Sequence, residues 1–402
     1  MSSDILLGST IADMRNRAGS KLRSAVPPGA PDEAWRRVPP EMRDSVFRIS
    51  DSENTFTPGL FTASLSGDGE LLGTGGKERD VREIEVSIRR WGDMEQLRTR
   101  DRLSRPNDVE DQFASLFNLA NSHDLYLLRL KGDSGSGILR AQLVLDLTAP
   151  DKKNTPLMYL PFVLVQVEDY TSAELEIILS DRVDVPHSSV AQFIYLIGKG
   201  AKLSLYGDFS AIQQNHLTLF ERSYQEAQSV LKFGRNFDTA GCLMYDSRHA
   251  LLGEFGELRH YCLQRPRFEG FTGQKTVVEQ YAPHTFSTVE SRSVLNDRSR
   301  SLFVGTVKIP TGAEKSEAYE QHRTLMLSPD ARVESLPELE IVENEVSCSH
   351  ASSIREISTE DLFYLNSRGV PTEEARKLLT EAFIGEVQSR MLFEKKEESE
   401  HE

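Results

Sequence analysis

The segment SCSH, residues 347–350, holds the side chains of this sequence with the most suggestive chemistry. Cys348 and His350 are two positions apart, and in an extended strand such residues point to the same side. A sulfur and an imidazole that share one side of a strand suit soft and borderline metal ions. The same two groups could form a nucleophile and its base. The spacing alone leaves a metal site, a catalytic pair and two merely packed residues open.

His260 and Cys262 repeat this spacing in another part of the chain. Structural zinc sites need four ligands, usually from Cys-x-x-Cys or His-x-x-x-His pairs, and the sequence has neither pair. Each of the two Cys/His pairs would supply two ligands, so a full site would need a second chain. His260 and Cys262 lie in an apolar run, where a cysteine often serves only in packing. We therefore interpret this pair as structural.

A nucleotide site is not indicated by the Gly-rich stretch LLGTGGKER. A phosphate-binding P-loop requires a glycine five positions before the Gly-Lys pair and a hydroxyl residue after it. Leu71 and Glu78 occupy those two positions around Gly76 and Lys77. The missing hydroxyl removes a magnesium ligand, and we expect the chain to hydrolyse no ATP. The sequence also lacks a Gly-x-Ser-x-Gly nucleophile elbow.

Composition bounds the compartment and the partners. The 402 residues include 47 Lys and Arg against 62 Asp and Glu, a net charge of −15, which disfavours nucleic acid and anionic membranes as partners. The three cysteines are too few for a disulfide framework. No apolar run approaches a membrane span, and the first residues do not resemble a secretion signal. We predict a soluble cytoplasmic protein, or a plastid protein if a transit peptide has been removed.

Residues 1–150 are predicted to form a mixed α/β domain. In DVEDQFASLFNLA, the apolar residues Phe113, Leu116, Phe117 and Ala120 follow helical spacing after an acidic start. HDLYLLRL and RAQLVLDL have the composition of strands.

Residues 151–347 change character and carry eleven short apolar runs, from YLPFVLVQV to PELEIV. Their centres are too close together for crossover helices between them. Few of the connections have the Asn-Gly or Asp-Gly turn of a hairpin. A β-sandwich and a β-solenoid both remain open, with a slight preference for a parallel β-helix, in which each coil buries its inward side chains by stacking on the next.

An alternating acidic row lies at the end of this region. Glu338, Glu340, Glu343 and Glu345 could be mistaken for the acids of a polysaccharide-cleaving β-helix enzyme. On an exposed strand face, such a row is more often solvated charge, and this is our interpretation.

Residues 348–402 are predicted to be helical. Ser358 is placed to cap a first helix with Asp361 at the third position, and Gly369 suits the left-handed exit from that helix. Pro371 prevents continuation, and Thr372 is placed to cap a second helix. One apolar stripe follows the second helix: Ala375, Leu378, Leu379, Ala382, Phe383 and Val387.

The last seventy residues closely resemble the C-terminal part of the SufD branch of the SufB/SufD family, which belongs to the Suf system of iron–sulfur cluster assembly. The matching motifs are a Pro-x-Leu-Glu strand, Val-x-Cys-Ser-His, Leu-Phe-Tyr-Leu-x-Ser-Arg-Gly and a helix with Ala, Leu-Leu and Phe. They are carried by Pro337, Leu339, Glu340, Val346, Cys348, Ser349, His350, Leu362, Phe363, Tyr364, Leu365, Ser367, Arg368, Gly369, Ala375, Leu378, Leu379 and Phe383.

Two features favour the SufD branch over its paralogue SufB. The segment before the final strands, RTLMLSPDARVESLPELEI, lacks the cysteine that is typical of SufB. After them the chain reads CSHASS rather than Glu-His-Glu-Ala-Thr. The sequence departs from the SufD pattern where Ala351, Ser352 and Ser353 replace Gly-Ala-Thr, which changes the backbone chemistry beside His350.

The resemblance implies a mainly β fold: a right-handed parallel β-helix core, residues 151–347, between the N-terminal mixed α/β domain and a C-terminal α-helical domain, residues 348–402. It implies a non-enzymatic scaffold subunit that pairs with SufB and engages the ATPase SufC, with a homodimer possible when the chain is alone. The alternatives are a self-pairing scaffold that stands in for both paralogues and a β-helix enzyme acting on polysaccharide.

The resemblance also implies site residues. His350, and after it Cys348, are metal-ligand candidates for a transient iron–sulfur cluster at the SufB interface, with no cofactor held tightly by the isolated chain. The helical region is implied to face SufC through Leu362, Phe363, Tyr364, Arg368, Leu379 and Phe383.

Overall fold

The computed structural model describes residues 60–65, 87–90, 125–132, 138–146, 158–159, 162–180, 188–209 and 216–391. Most of the predicted N-terminal domain, including the helix predicted around Phe113 and Phe117, lies outside these residues. Within them the chain forms nineteen strands and two helices.

The strands are β1 Leu60–Leu65, β2 Ser87–Arg90, β3 Leu125–Leu130, β4 Leu139–Asp146, β5 Met158–Tyr159, β6 Phe162–Val167, β7 Ser172–Ser180, β8 Ser188–Ile197, β9 Lys202–Phe209, β10 His216–Gln225, β11 Val230–Thr239, β12 Cys242–Leu251, β13 Glu257–Pro266, β14 Phe271–Gln280, β15 Phe286–Leu295, β16 Arg300–Ile309, β17 Glu317–Met326, β18 Arg332–Ile341 and β19 Ser347–Glu356. The helices are α1 Thr359–Ser367 and α2 Thr372–Met391.

From β6 onward, successive strands alternate between two sheets, and each strand pairs in parallel with the strand two places later. His216 of β10 pairs with Cys242 of β12, 26 positions later, and Arg300 of β16 pairs with Arg332 of β18, 32 positions later. Coils of about this length, stacked in parallel, form a β-solenoid. The predicted parallel β-helix is therefore confirmed. The first strands differ, because β1 pairs with β4 and β2 with β3 in antiparallel fashion.

One corner of the coils explains why the turns were hard to recognise in the sequence. Its residues adopt left-handed backbone angles, and each donates its N–H to a carbonyl in the next coil, as Tyr170 does to Lys199 and Phe255 to Pro283. Only glycine adopts this conformation without cost, yet most of these positions hold other residues. The column consists of Tyr170, Gly200, Gln228, Phe255, His284 and Lys315.

The strands β11, β15 and β19 were not predicted. β11 and β15 place Arg235, Ser291 and Ser293 in the lumen, meaning the space between the two sheets. These polar side chains interrupt inward rows that also hold the core residues Phe233 and Val289. β19 is mostly exposed and polar. Hydrophobic alternation is the main sequence signal for a strand, and in these three strands it is broken or absent.

The C-terminal helices follow the predicted signals with one shift. β19 continues to Glu356, so the chain becomes helical at Thr359 rather than after residue 347. The side chain of Ser358 caps α1 by accepting from the Asp361 N–H at 2.9 Å, and Gly369 leaves the helix at φ +88°. Thr372 is the first residue of α2 rather than its cap, since the Pro371 carbonyl already accepts from the Ala375 N–H.

Helix α2 packs on the outer face of the nine-stranded sheet. Its buried residues Phe383, Ile384, Val387 and Met391 join a cluster with outward side chains of β9, β13, β15 and β17. Of the predicted stripe, Leu378 and Ala382 are exposed, because the apolar face is wider than the contact with the sheet.

Arginines on both sides reinforce this attachment. Arg292 of β15 is buried and donates to the carbonyl of Phe383, to Glu290 at 3.0 Å and to Glu386 at 2.5 Å. Arg390 of α2 returns a bond to Glu290 at 2.5 Å. The helix is thus held by apolar packing and by a compact ion network. Neither described helix is long and apolar enough to cross a membrane.

Candidate functional site

Among the described residues, no strand pairs with the outer edge of β18 or of β19, where the two sheets end, and the lumen opens between them. We call this opening the mouth and define it by the lumen-facing residues Ser335 and Leu339 of β18 and Cys348, His350 and Ser352 of β19. Their register gives their direction, since Ser335 pairs with the core residue Phe303 and Cys348 with the buried Ala318.

Cys348 and His350 share the lumen-facing side of β19, where the spacing of the sequence placed them. Cys348 is half-buried against a cluster that includes Ala318 and Leu339. Burial raises the pKa of its thiol, so the thiol form is favoured in the isolated chain. His350 is exposed at the mouth. The described residues contain no group of three His, Cys, Asp or Glu side chains arranged to hold a metal ion.

Glu320 lies in the coil beneath His350 and pairs with it in register. It is 3% exposed, and its Oε1 makes no hydrogen bond within the described residues. Gly305 of the opposite sheet leaves space for this carboxyl group, since a Cβ there would lie 2.2 Å from Glu320 Oε1. Burial, and after it the charge of Glu338, raises the pKa of Glu320 to about 8. The carboxyl group is therefore mostly protonated at neutral pH.

His322 lies beneath Ser352 in the neighbouring column of the same sheet. Its Nδ1 is 2.9 Å from Ser335 Oγ, and Ser352 Oγ lies 2.9 Å from the same hydroxyl. The ring stacks on Phe303 with centroids 4.5 Å apart. Burial lowers the pKa of His322 to about 3, so the ring is neutral. These contacts join the last strand of each sheet across the lumen.

The sequence analysis missed Glu320, His322, Ser335 and Ser352. Glu320 and His322 are each 30 positions before the residue they support, which is one coil. The signal that could have found them is this repeat length, because stacking in a solenoid brings residues one coil apart into contact. Without the strands β11, β15 and β19, the repeat length could not be measured from the sequence.

The deeper pair, His260 and Cys262, lies in the lumen and is fully buried. His260 Nε2 is 3.0 Å from the Tyr245 hydroxyl, and its ring stacks with Phe233 and Tyr245. Burial raises the pKa of the Cys262 thiol. Both side chains thus belong to the packed interior, in agreement with the structural interpretation.

A buried ion pair lies next to this region. Arg235 donates to both carboxylate oxygens of Glu221, at 2.8 and 2.5 Å, and neither side chain is exposed. Tyr195 adds a hydrogen bond of 2.6 Å to the same carboxylate. Hydrogen bonds to both oxygens compensate part of the cost of removing these charges from water.

The helical region presents a second candidate surface. Helix α1 has no buried residue, and Phe363 and Tyr364 are 73% and 58% exposed. The guanidinium of Arg368 lies 5.4 Å from the Tyr364 ring centroid. Leu362 and Leu379 are half-buried.

Phe383 lies apart from this surface. It is 5% exposed, and its ring lies between the guanidinium groups of Arg292 and Arg355, at 5.1 and 5.2 Å. It therefore attaches α2 to the sheet and does not face a partner, which corrects its assignment from the sequence.

Of the acidic row, Glu338 and Glu340 lie on the outward face of β18, and Glu343 and Glu345 follow the end of the strand. Glu338 accepts from the Thr306 hydroxyl at 3.1 Å, and Glu340 pairs with Lys308 at 2.8 Å. These contacts and the exposure of both residues agree with solvated charge.

Comparison with known proteins places this architecture. Residues 151–383 match the family described as "SUF system FeS cluster assembly, SufBD core domain". The iron–sulfur cluster assembly protein SufD of Escherichia coli is 26% identical over 162 residues, which are 40% of this chain and 38% of that protein.

Two further relatives match shorter segments. SufD of Bacillus subtilis is 33% identical over 143 residues, 35% of this chain and 32% of that protein. The chloroplastic protein ABCI7 of Arabidopsis thaliana is 34% identical over 94 residues, 23% of this chain and 20% of that protein. The aligned segments thus span well under half the length of these curated relatives.

Proposed function

Because the chain belongs to the SufBD family of iron–sulfur cluster assembly proteins, we propose that it is a non-catalytic scaffold subunit of the SufD type. In this role it pairs with SufB, engages the ATPase SufC and helps to hold a nascent cluster as cargo. The observation that carries the proposal is the open mouth, where two unpaired sheet edges surround Cys348 and His350.

The direction of the backbone groups supports pairing at the mouth. Within a strand, the N–H and C=O of one residue point to one side and those of the next residue to the other. Because the Ser347 N–H bonds back to Ser316, the backbone groups of Cys348, His350, Ser352 and Ile354 face away from β17. This row is a template for a strand from another chain.

The edge of β18 is a poorer template. The Arg332 and Val342 N–H groups bond back toward β16. The backbone N–H and C=O groups of the odd-numbered residues therefore point away from β16, toward the free edge, and Pro337 is one of these residues. Proline has no N–H, which interrupts the free row but leaves the ladder to β16 intact. Strand addition is therefore expected mainly along β19. Two apolar side chains, Ile354 of β19 and Val342 just after β18, are 51% and 67% exposed and would be covered by the partner.

The cluster site requires ligands from two chains. His350 and Cys348 supply at most two donors, and the described residues add no third in suitable geometry. A partner strand on β19 would bring its own side chains to the same opening. Thiolate and imidazole donors together suit iron–sulfur clusters, so the proposed site forms only in the assembled pair.

The surface of α1 supports the proposed contact with SufC. Phe363 and Tyr364 are large, exposed and adjacent, and aromatic residues are enriched at protein interfaces. Helix α2 anchors this surface to the solenoid through its packed face and the Arg292 network. A force applied to α1 would thus reach β15 through α2.

Three free cysteines suit the proposed cytoplasmic location.

Co-purification with the SufB and SufC chains of the same organism tests the proposal. We expect one complex on sizing. Ile354→Lys, on β19 next to the mouth, should disrupt this complex by adding charge to the pairing edge. Phe268→Lys is the matched control, because Phe268 is an exposed aromatic residue at a solenoid corner. A chain that stays alone in the presence of both partners, or that forms a stable pair with itself in preference to SufB, contradicts the SufD assignment.

The double substitution Phe363→Ala and Tyr364→Ala should abolish binding of SufC and leave binding of SufB intact. Phe268→Ala is again the control, since it removes a comparably exposed ring from another surface. Unchanged SufC retention by the α1 variant would show that the ATPase docks elsewhere.

A further inference from the structure

A continuous series of side-chain hydrogen bonds runs from the mouth into the lumen. Ser352 Oγ lies 2.9 Å from Ser335 Oγ, which lies 2.9 Å from His322 Nδ1. His322 Nε2 is 3.1 Å from Ser293 Oγ, and Ser293 Oγ is 3.2 Å from Ser301 Oγ. Ser301 donates to Gln264 Oε1 at 3.2 Å. We call this series the lumen chain: Ser352, Ser335, His322, Ser293, Ser301 and Gln264.

The inner end of the lumen chain fixes its direction. In the orientation of the Gln264 amide, Oε1 faces Ser301, and a carbonyl oxygen can only accept. Ser301 therefore uses its single proton on Gln264, so Ser293 must donate to Ser301. Ser293 then has no proton left for His322. The other hydroxyl near Nε2, Thr324 Oγ1, lies at 3.4 Å, farther than Ser293 Oγ at 3.1 Å, so we assign the hydrogen to His322 Nε2, which donates to Ser293.

The outer end follows from the tautomer. Burial lowers the pKa of His322 to about 3, so the ring is neutral and has one donor and one acceptor. With the hydrogen on Nε2, Nδ1 accepts from Ser335. Ser335 in turn accepts from Ser352, which is the donor direction that the geometry of this bond also gives.

We propose that His322 is a positioning residue that, as the Nε2–H tautomer, turns the Ser352 hydroxyl proton inward and leaves Ser352 Oγ as an acceptor at the mouth. The partner that covers the mouth would then place a hydrogen-bond donor, such as a backbone N–H or a basic side chain, on Ser352. An acceptor at that position would face lone pairs.

This assignment rests on the proposed pairing at the mouth, and it adds a requirement that pairing alone does not contain. Ser352 is exposed and lies two residues from His350 on the same face of β19. A partner donor on Ser352 would therefore fix the position of that partner next to the imidazole. The lumen chain, and not solvent, would then decide that Ser352 acts as an acceptor toward the partner.

The tautomer is measured on the isolated full chain, labelled with ¹⁵N-histidine and observed through long-range proton–nitrogen correlations. His322 is identified by the signal that disappears in His322→Phe. We expect a protonated Nε2 and an unprotonated, accepting Nδ1 at neutral pH. A proton on Nδ1 overturns the inference, whether or not SufB binds.

The acceptor is measured by titrating SufB onto the wild type and the variants. Ser352→Ala should weaken binding by about 5-fold, the loss of one net hydrogen bond. Ser349→Ala is the matched control, because Ser349 is exposed on the opposite face of β19, and its affinity should not change.

His322→Phe supplies the positioning test. It retains a ring to stack on Phe303 but frees the Ser335 proton, so Ser352 loses its fixed orientation. We expect weakening similar to that of Ser352→Ala and no further loss in the double variant. If the wild type binds SufB and Ser352→Ala binds it with the same affinity, the inference is overturned but the pairing stands. Failure of the wild type to bind overturns the pairing, and with it the docking part of the inference, but leaves the tautomer result to stand by itself.

Discussion

Between β3 and β9, the lumen is filled mainly by aliphatic side chains such as Leu130, Val165 and Leu175, with a few aromatic rings among them, whereas near the mouth the equivalent positions hold Ser293 and His322. The backbone of both regions follows the same parallel coil. The aliphatic region excludes water by area and is indifferent to the detailed direction of its groups. In the polar region, each buried group requires a partner, since an unsatisfied one costs about 1–3 kcal/mol.

This difference separates stability from specificity along one molecule. The aliphatic coils can be repacked with other side chains of similar volume. The polar coils have a fixed direction of donors and acceptors, so they can transmit an orientation to the mouth. The predictions that follow test whether the two regions differ in this way, from the largest expected effect to the smallest.

Arg235→Met should cause the largest loss of stability. It leaves the Glu221 carboxylate buried without its cation, and breaking a buried pair in this way costs about 3–5 kcal/mol. Urea unfolding of the isolated chain measures the change. The double variant with Glu221→Met should recover most of it, because both charges are then gone. A double variant as unstable as the single one would show that shape, and not charge, dominates this part of the lumen.

Acid should destabilise the folded chain because the polar region of the lumen holds three buried histidines. Burial lowers the pKa of His249, and lowers those of His260 and His322 to about 3, below the unfolded value of 6.5. Such groups contribute stability above pH 6.5 that is lost as the pH falls, each by up to about 1.4 kcal/mol per pH unit. Glu320 has the opposite effect, because its folded pKa is raised, and it cancels the contribution of about one of the three histidines.

Each of the three histidines is half-protonated in the unfolded chain at pH 6.5 and therefore contributes a loss of about 1 kcal/mol down to pH 5.5. Glu320 offsets about one of them, so the net loss is about 2 kcal/mol. Urea midpoints at the two pH values measure it. His260→Phe should reduce the slope by the share of one group. An equal slope in the variant and the wild type would mean that His260 titrates normally in the folded chain.

Alkaline pH isolates Glu320. Its folded pKa of about 8 lies above the unfolded value of 4.5, so the stability it contributes at low pH is lost as the pH rises from 4.5 to 8. Between pH 7 and 8 the histidines of the unfolded chain are already mostly neutral, and the stability that Glu320 contributes should fall by about 1 kcal/mol. Glu320→Gln should flatten this part of the curve. A slope that persists in the variant would have to come from another group.

His350→Ala should have the smallest effect on stability, under about 1 kcal/mol, because the side chain is exposed. It should nevertheless lower the iron and acid-labile sulfide of the anaerobically isolated complex while leaving the size of the complex unchanged. Ser349→Ala is the control on the opposite face, and Cys348→Ser tests whether the half-buried thiol contributes. A His350→Ala complex with normal size and normal cluster content would make His350 structural.

The sequence predicted those parts of the molecule that follow local rules. The solenoid runs from β6 to β9 were visible because their inward positions are mostly apolar, and the caps at Ser358 and Gly369 follow directly from their residue types. The pairing of Cys348 with His350 followed from strand periodicity.

The rest depended on contacts between coils. Ser293 and His322 sit in positions that normally hold apolar residues, so the strand pattern failed where the lumen becomes polar. The lumen chain links residues up to 88 positions apart, from Gln264 to Ser352, and no local pattern reports it. Phe383 fits the apolar stripe of α2, but which side of the helix meets the sheet is decided by Arg292 and Glu290.

The corner column has a consequence for how such a chain can change in length. The N–H of each corner residue donates to a carbonyl at the same corner of the next coil, as that of His284 does to Glu314. Since side chains alternate between lumen and exterior, the loss or gain of one residue inside a strand would exchange the two faces of that strand. Insertion or removal of a complete coil would preserve both the corner bonds and the faces. The coil, and not the residue, is thus the unit in which the spine of this molecule can grow or shrink.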